Sequence, residues 1–205
     1  MKGLLYKDFL SIVKHYRTYF LLCLVFMVVS WFSPENLFYS LYPCVLIGSI
    51  LVGLVALDEN SKWNTTCGFL PFTQEQLVGV KYLMGLILTG LFLLIIVGGH
   101  TVRMLIQGAV AVEELMILLM LTISTGLVMP GLMLPFIYKF GVEKGRLAYL
   151  LTLGGAAGLL AYFGTNGTMF QLAFEPPVGL TVAIAMAVYG VSCVISIGIC
   201  RKKQI

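Results

Sequence analysis

Residues 37–57 read LFYSLYPCVLIGSILVGLVAL, and residues 83–102 read LMGLILTGLFLLIIVGGHTV. Neither run contains Asp, Glu, Lys or Arg. Each is long enough to cross a bilayer, because a spanning helix needs ~20 apolar residues at a rise of about 1.5 Å each. The two runs therefore predict a pair of transmembrane helices, joined by residues 58–82 at one membrane face.

The connecting stretch reads DENSKWNTTCGFLPFTQEQLVGVKY and is the longest part of the chain that water could solvate. Asp58 is placed to cap a short first helix, and Pro71 interrupts the helical pattern. Thr73 and Gln76 form a T-x-x-Q capping box, which predicts a second helix that runs into the next span. This pattern fits both a solvated turn and a platform that another protein contacts.

The composition assigns the chain to the all-α integral membrane proteins. Apolar residues make up 60% of the sequence, charged residues 11%, and the mean hydropathy is +0.99. Soluble domains carry roughly 25% charged residues. The basic residues lie at the ends of apolar runs rather than in one cluster, which excludes a nucleic-acid-binding patch.

The apolar runs predict one transmembrane domain over residues 1–205, with six spans. The predicted spans are residues 18–32, 37–57, 83–102, 115–138, 147–164 and 180–200. Pro130 and Pro135 are expected to kink or loosen the fourth span. Gly154 and Gly158 form a small-x-x-x-small pair, which predicts close packing of the fifth span against another helix of this chain or of a second subunit.

Residues 1–17 are predicted to form an amphipathic helix that lies in the membrane interface. Its apolar face comprises Leu5, Phe9, Ile12 and Tyr16. Its basic residues include Lys7, Lys14 and Arg17, and the lysines are expected to face anionic headgroups. A secretory signal is the competing interpretation, but no small-residue cleavage site follows the next apolar run.

The distribution of charge predicts the orientation in the cell membrane. All but one of the 13 Lys and Arg residues lie in the two termini, in residues 58–82 or in a short basic loop at 139–146. The exception is Arg103, in a connection on the other side. By the positive-inside rule, both termini and the central loop are expected to be cytoplasmic.

The sequence offers no pattern for catalysis or metal binding. Its five cysteines include no C-x-x-C pair and are expected to be small apolar fillers, and its two histidines have no partner at ligand spacing. No phosphate-binding loop occurs, so this chain is not expected to be an enzyme or to hold a cofactor. The six predicted spans contain no clearly buried charge, which argues against a proton relay or an ion-coupled carrier.

Three segments together resemble a known family: MKGLLYKDFL at residues 1–10, LDENSKWN at 57–64 and LPFTQEQLVGVKYL at 70–83. They are similar to segments of the small bacterial ABC type-2 exporter permeases. The sequence shows no large extracellular insertion, and in this it resembles the short permeases that export amphipathic cytolytic peptides, of the phenol-soluble modulin kind.

The resemblance implies that two copies of this permease associate with two cytoplasmic ATPase subunits, which would hold ATP and Mg²⁺. It implies that residues 1–17 form the elbow helix and that residues 58–68 form a coupling helix that docks on the ATPase. Trp63 would anchor this helix, and Glu59 and Lys62 would form its polar rim. The coupling residues implied are Asp58, Glu59, Ser61, Lys62, Trp63, Asn64 and Thr65. The second and fifth spans would line the path at the permease dimer interface, and the cargo would be an amphipathic peptide.

Two other functions fit the same features. A peptide-antibiotic immunity exporter would use the same architecture in defence. A carrier or channel that needs no ATPase could share the topology.

Overall fold

A computed structural model describes residues 2–32, 37–61, 63, 73–108, 112–147, 150–151 and 178–202, and every regular element in these ranges is helical. The helices are α1 (Lys2–His15), α2 (Arg17–Phe32), α3 (Leu37–Asn60), α4 (Gln74–Gln107), α5 (Val112–Phe140) and α6 (Val178–Lys202). A short helical segment, residues 142–147, follows α5.

Four of these helices, α3 to α6, are long and apolar enough to cross a membrane. Helices α1 and α2 bend by 67° at Tyr16, and the pair would make a fifth span if counted as one. The predicted fifth span, with Gly154 and Gly158, lies almost entirely outside the described residues. The helical membrane class agrees with the sequence analysis, whereas the count of six spans stays a prediction.

The connection between α3 and α4 is shorter than predicted. Helix α3 continues to Asn60, so Asp58 lies in its last turn, and the prediction that Asp58 caps a new helix is wrong. The predicted capping box is confirmed, because Thr73 and Gln76 exchange side-chain and backbone hydrogen bonds at the start of α4. From there α4 runs without a break to Gln107.

The basic stretch at 139–146 is a tight turn followed by helix rather than a loop. Helix α5 ends at Phe140, and Gly141 has φ +82°, a left-handed conformation that glycine adopts without strain. The helical segment 142–147 follows at once. Pro130 and Pro135 lie inside α5, which continues through both of them. The predicted kink stays a prediction.

Helix α3 forms the centre of the apolar core. Its buried residues include Cys44, Ile47, Ile50, Leu51 and Leu54. Helices α4, α5 and α6 are further joined by a buried hydroxyl cluster, in which the Tyr82 hydroxyl lies 2.7 Å from both Ser192 Oγ and Ser196 Oγ. The Ser192 hydroxyl also donates to the Gly131 carbonyl of α5. In the same cluster the Tyr189 hydroxyl donates to the Tyr82 carbonyl at 2.7 Å. Buried hydroxyls that are fully paired in this way hold neighbouring helices in register.

Both ends of the described chain lie at the same end of the bundle. Asp8 of α1 pairs with Lys81 in the first turns of α4, and Arg201 at the end of α6 pairs with Glu75 at the start of α4. Which side of the membrane this end faces stays a prediction from the charge distribution.

Candidate functional site

Four charged side chains form a closed ring where α1, α3 and α4 meet. Lys7 Nζ lies 2.5 Å from Asp58 Oδ1 and 3.5 Å from Asp8 Oδ1. Lys81 Nζ lies 2.8 Å from Asp8 Oδ2 and 2.7 Å from Asp58 Oδ2. Positive and negative groups alternate around the ring, so it is neutral, and each lysine joins both aspartates. We call these four residues the ionic ring.

The ring is largely removed from water. The side chains of Asp8, Lys81 and Asp58 are 3%, 7% and 15% exposed, whereas that of Lys7 is 29% exposed. Ions buried to this degree lose hydration free energy, and short charge-assisted hydrogen bonds to opposite charges must offset that loss. The ring is therefore sensitive to the removal of any one member, because the remaining charges no longer balance.

Trp63 lies over the more exposed side of the ring. The Lys7 ammonium is 4.3 Å from the centroid of the indole ring, which is a cation–π contact. The indole Nε1 is hidden from solvent and meets no hydrogen-bond acceptor among the described residues. Trp63, the ring and the apolar side chains Leu4, Val55 and Leu77 line a cavity of about 250 Å³.

The structure separates the residues of the implied coupling helix. Asp58 points into the ring, and the Trp63 indole lies against the Lys7 ammonium, whereas the role of Trp63 as an anchor on the ATPase stays a prediction. Glu59 is exposed in the last turn of α3, where its Oε2 accepts a hydrogen bond from the Val142 N–H at 3.4 Å. Ser61 is exposed, and its hydroxyl donates to the Asp58 carbonyl at 3.4 Å. Lys62, Asn64 and Thr65 lie outside the described residues.

The three basic residues of the implied elbow helix lie in different surroundings. Lys7 does not simply face headgroups, because Asp58 and Trp63 hold it at the ring. Lys14 and Arg17 are exposed, as an interfacial position requires, and Arg17 Nε donates to the Val13 carbonyl at 3.3 Å. The predicted apolar face is divided, since Ile12 is buried whereas Phe9 is 53% exposed.

The junction of α1 and α2 packs tightly on α3 at Gly53. A Cβ atom at Gly53 would lie 2.0 Å from the Tyr16 hydroxyl oxygen, so only glycine leaves room for the phenol ring. Burial raises the pKa of Tyr16 above its ordinary value, Tyr19 adds to the shift, and Arg146 opposes it.

The sequence analysis missed Asp8 and Lys81. The sequence places Lys81 in the predicted connection 58–82, outside the predicted span 83–102, whereas in the structure Lys81 is buried within α4. The sequence contains a signal, because Leu4, Asp8 and Ile12 are spaced four residues apart and so share one face of a helix. The structure buries all three side chains, so a carboxylate lies in the middle of an apolar face. A charge at such a position requires a buried partner, which Lys81 supplies.

No metal site is formed by the described residues, among which no three His, Cys, Asp or Glu side chains come together as ligands. Cys23 and Cys44 are buried free thiols, in keeping with the expected role of small apolar fillers. His100 is buried and lies 3.3 Å from the Ser30 hydroxyl. What the described residues form at this site is an ionic joint between α1, α3 and α4.

Comparison with known proteins assigns the chain to a family. The family model described as ABC-2 family transporter protein matches residues 3–202, nearly the whole sequence. No curated protein and no solved structure matches the chain. The helical bundle, the apolar spans and this match agree with one another. The chain belongs to the ABC-2 family of transporter proteins and is the membrane component of such a transporter.

Proposed function

We propose that this chain is the permease subunit of an ATP-driven exporter of amphipathic or hydrophobic peptides, and that two copies form the translocation path. The observation that carries the proposal is the family match over residues 3–202, since the family implies a separate ATPase subunit. The positive-inside bias favours a cytoplasmic position for the end of the bundle that carries the ionic ring, where such an ATPase would bind.

The ionic ring supplies a route for coupling ATP hydrolysis to movement of the spans. An ATPase that pushes on residues 61–73 acts on the end of α3 and the start of α4, which flank this segment. The pairs of Lys81 with Asp58 and Asp8 join those two helices to each other and to α1. The three helices then move as one body, because packed and ion-paired elements shift together between discrete arrangements.

The surface of the described spans supports an apolar or amphipathic cargo. Leu94 and Ile106 of α4 and Val194 of α6 are at least 70% exposed. The candidates to cover these side chains are lipid, a second copy of the chain and the cargo. The ion pairs that the described residues form lie at one end of the bundle, so the apolar surface is suited to a peptide with an apolar face rather than to an ion.

The test is purification of the tagged chain in mild detergent, followed by reconstitution in proteoliposomes. We expect a P-loop ATPase, identified by mass spectrometry, at equal stoichiometry, and ATP-dependent movement of a fluorescent amphipathic helical peptide. Protection of living cells from an added peptide antibiotic, without secretion of an endogenous peptide, would favour the immunity function instead. Peptide movement without ATP and without the ATPase would refute the proposal.

A further inference from the structure

Residues 126–135 of α5 read GLVMPGLMLP, in which the pattern Gly-Leu-x-x-Pro occurs twice. In an α-helix each carbonyl accepts a hydrogen bond from the N–H four residues later, and proline has no N–H. Pro130 therefore leaves the carbonyl of Gly126 without its helical partner. Pro135 does the same to the carbonyl of Gly131, although α5 continues as a helix through both prolines. We call these two positions the Gly126 break and the Gly131 break.

Each break receives a hydroxyl group from a different neighbouring helix. The Thr89 hydroxyl of α4 donates to the Gly126 carbonyl at 3.1 Å. The Ser192 hydroxyl of α6 donates to the Gly131 carbonyl. Both hydroxyl-bearing side chains are buried. A carbonyl that proline leaves unbonded is unfavourable inside a bilayer, so such hydroxyl groups stabilise a helix that contains proline. Glycine leaves room for the contact, because a Cβ atom at Gly126 would lie 2.7 Å from Thr89 Cγ2.

The Gly131 break is held by hydrogen bonds that allow one arrangement. The single hydroxyl hydrogen of Ser192 goes to the Gly131 carbonyl, so in the contact of 2.7 Å the Tyr82 hydroxyl donates to Ser192. The Tyr82 hydroxyl then accepts a hydrogen bond from Ser196, also at 2.7 Å. Moving Ser192 away from this break would therefore disturb three buried hydroxyl groups at once.

The Gly126 break is held by a hydroxyl group that has a second acceptor. Thr89 Oγ1 lies 2.8 Å from the Gly85 carbonyl of its own helix and 3.1 Å from the Gly126 carbonyl, and it has one hydrogen to donate. Turning that hydrogen fully toward Gly85 keeps the Thr89 hydroxyl bonded and releases the Gly126 carbonyl. Of the two breaks, this one can therefore open without leaving its hydroxyl group unpaired.

Helix α3 packs directly on the Gly126 break. A Cβ atom at Gly48 would lie 3.7 Å from the backbone nitrogen of Pro130, so the two helix backbones are close at this point. Helices α3 and α4, which both contact this break, also flank residues 61–73, whereas α6 contacts the Gly131 break. A movement of α3 and α4 relative to α6 would therefore act on α5 between its two breaks.

We propose that α5 bends at the Gly126 break during transport, while the Gly131 break keeps its shape. In this movement the Thr89 hydroxyl passes from the Gly126 carbonyl to the Gly85 carbonyl, and the part of α5 before the break swings relative to α6. A helix bends most easily where proline has removed a backbone hydrogen bond. Because the Gly126 carbonyl loses its partner on bending, the bent form is the minor one at rest. The link to transport rests on the proposed function, whereas the bend itself is a property of this chain.

The first experiment is a thermodynamic cycle on the Gly126 break. Thr89→Val removes the hydroxyl at nearly constant volume and should lower the melting temperature of the purified chain by roughly 2–8 °C, because a buried carbonyl loses its partner. Pro130→Ala gives residue 130 an N–H that can bond to the Gly126 carbonyl. In the Pro130→Ala background, Thr89→Val should therefore lower the melting temperature by a clearly smaller amount.

Two controls separate this effect from a general loss of packing. In the Pro135→Ala background, Thr89→Val should keep its full effect, because Pro135 belongs to the other break. Thr122→Val removes a buried hydroxyl of α5 that donates to the Leu118 carbonyl of the same helix at 2.7 Å. It should change the melting temperature by less than about 2 °C.

The second experiment measures the bend by electron paramagnetic resonance, with genetically encoded spin-label residues on α5 and α6. One pair of labels replaces Ile117, before the Gly126 break, and Leu180, near the start of α6. The control pair replaces Phe140 and Val194, near the other ends of the same two helices. All four side chains are exposed, so the labels do not disturb the core.

In the absence of ATP, the Ile117–Leu180 pair should show one main distance and a minor second distance, whereas the control pair should show one distance. Thr89→Val should raise the minor fraction by roughly three- to tenfold, because the unbent form loses a hydrogen bond. Pro130→Ala should lower that fraction by a similar factor and should slow ATP-dependent peptide movement in proteoliposomes. Pro135→Ala should change neither quantity.

An equal effect of Thr89→Val with and without Pro130→Ala would show that the hydroxyl does not hold the Gly126 break, and would overturn the proposal. A single distance for the Ile117–Leu180 pair in every variant would also overturn it, while the proposed function would stand. Absence of any P-loop ATPase from the purified complex would overturn the proposed function instead. The thermodynamic cycle and the distances measured without ATP would still decide whether α5 bends.

Discussion

Removal of Lys81 tests whether the ionic ring holds the helices together. In Lys81→Met, Asp8 loses contacts of 2.8 and 2.9 Å, Asp58 loses one of 2.7 Å, and Lys7 is the one cation of the ring that remains for two carboxylates. Breaking a buried ion pair typically lowers the free energy of unfolding by ~3–5 kcal/mol, because an uncompensated charge stays behind. Lys7 can turn toward Asp8, which it already approaches to 3.5 Å, so we expect the lower end, ~3 kcal/mol.

The double variant Asp8→Asn with Lys81→Met should be more stable than Lys81→Met alone. It restores neutrality and leaves the Lys7–Asp58 pair at 2.5 Å intact. Replacing a buried ion pair by hydrophobic residues of similar volume is often neutral, and the amide left buried at position 8 adds the cost of a polar group, so we expect a loss of only about 1 kcal/mol. The coupling free energy between the two substitutions should then be ~2 kcal/mol or more.

The measurement is the free energy of unfolding in mixed micelles, by titration with a denaturing detergent or by steric trapping of the unfolded state. Lys14→Met is the control, because Lys14 is exposed on the same helix as Asp8 and should change the free energy by less than about 0.5 kcal/mol. If Lys81→Met loses no more than this control, or if the two ring substitutions are additive, the ring does not hold the helices and our account of coupling fails.

Three further predictions follow from other parts of the structure. Gly53→Ala should lower the free energy of unfolding by ~1–3 kcal/mol, as overpacking does, because the added Cβ would meet the Tyr16 hydroxyl at 2.0 Å. In a thermal-aggregation assay, Tyr16→Ala in the same chain should recover part of that loss. Tyr82→Phe should lower the free energy of unfolding by ~1–3 kcal/mol, because two buried serine hydroxyls lose their shared partner. An unchanged melting temperature in the same assay would contradict the role given to the hydroxyl cluster. A membrane-impermeant thiol reagent should label Cys67 only from the cytoplasmic side and a cysteine at position 107 only from outside. Labelling of Cys67 in intact cells would show that the predicted orientation is wrong.

The parts of the fold that the sequence predicted are those set by local or compositional physics. The span cores of α3, α4, α5 and α6 followed from runs of about 20 apolar residues, and the start of α4 followed from a capping box that needs two residues three positions apart. The ends of the helices were predicted less accurately, because a charged residue such as Asp58 also indicates the start of a polar loop. In the structure Asp58 continues α3, since Lys7 and Lys81 neutralise it.

The candidate site was only partly predictable because its contacts join distant positions. Asp8, Asp58 and Lys81 meet through the packing of three helices, and no sequence spacing specifies that contact. Trp63 shows the same limit. An isolated tryptophan in a polar stretch fits a partner's pocket as well as it fits a neighbouring lysine, and its contact with Lys7 arises only from the approach of α1.

The arrangement of the ring explains why charges rather than leucines occupy this junction. The bonds of Lys7 to Asp58, of Lys81 to Asp8 and of Lys81 to Asp58 join α1 to α3, α1 to α4 and α3 to α4, so each pair of helices has its own link. Apolar contacts are non-directional and allow helices to slide, whereas short ion pairs between buried groups fix one register. A displacement of α3 and α4 that leaves α1 behind would break the bonds of Asp8 and of Lys7 together and strand charges out of water. Under the proposed function, in which an ATPase acts on residues 61–73, α1 must therefore move together with α3 and α4 rather than stay behind in the lipid interface.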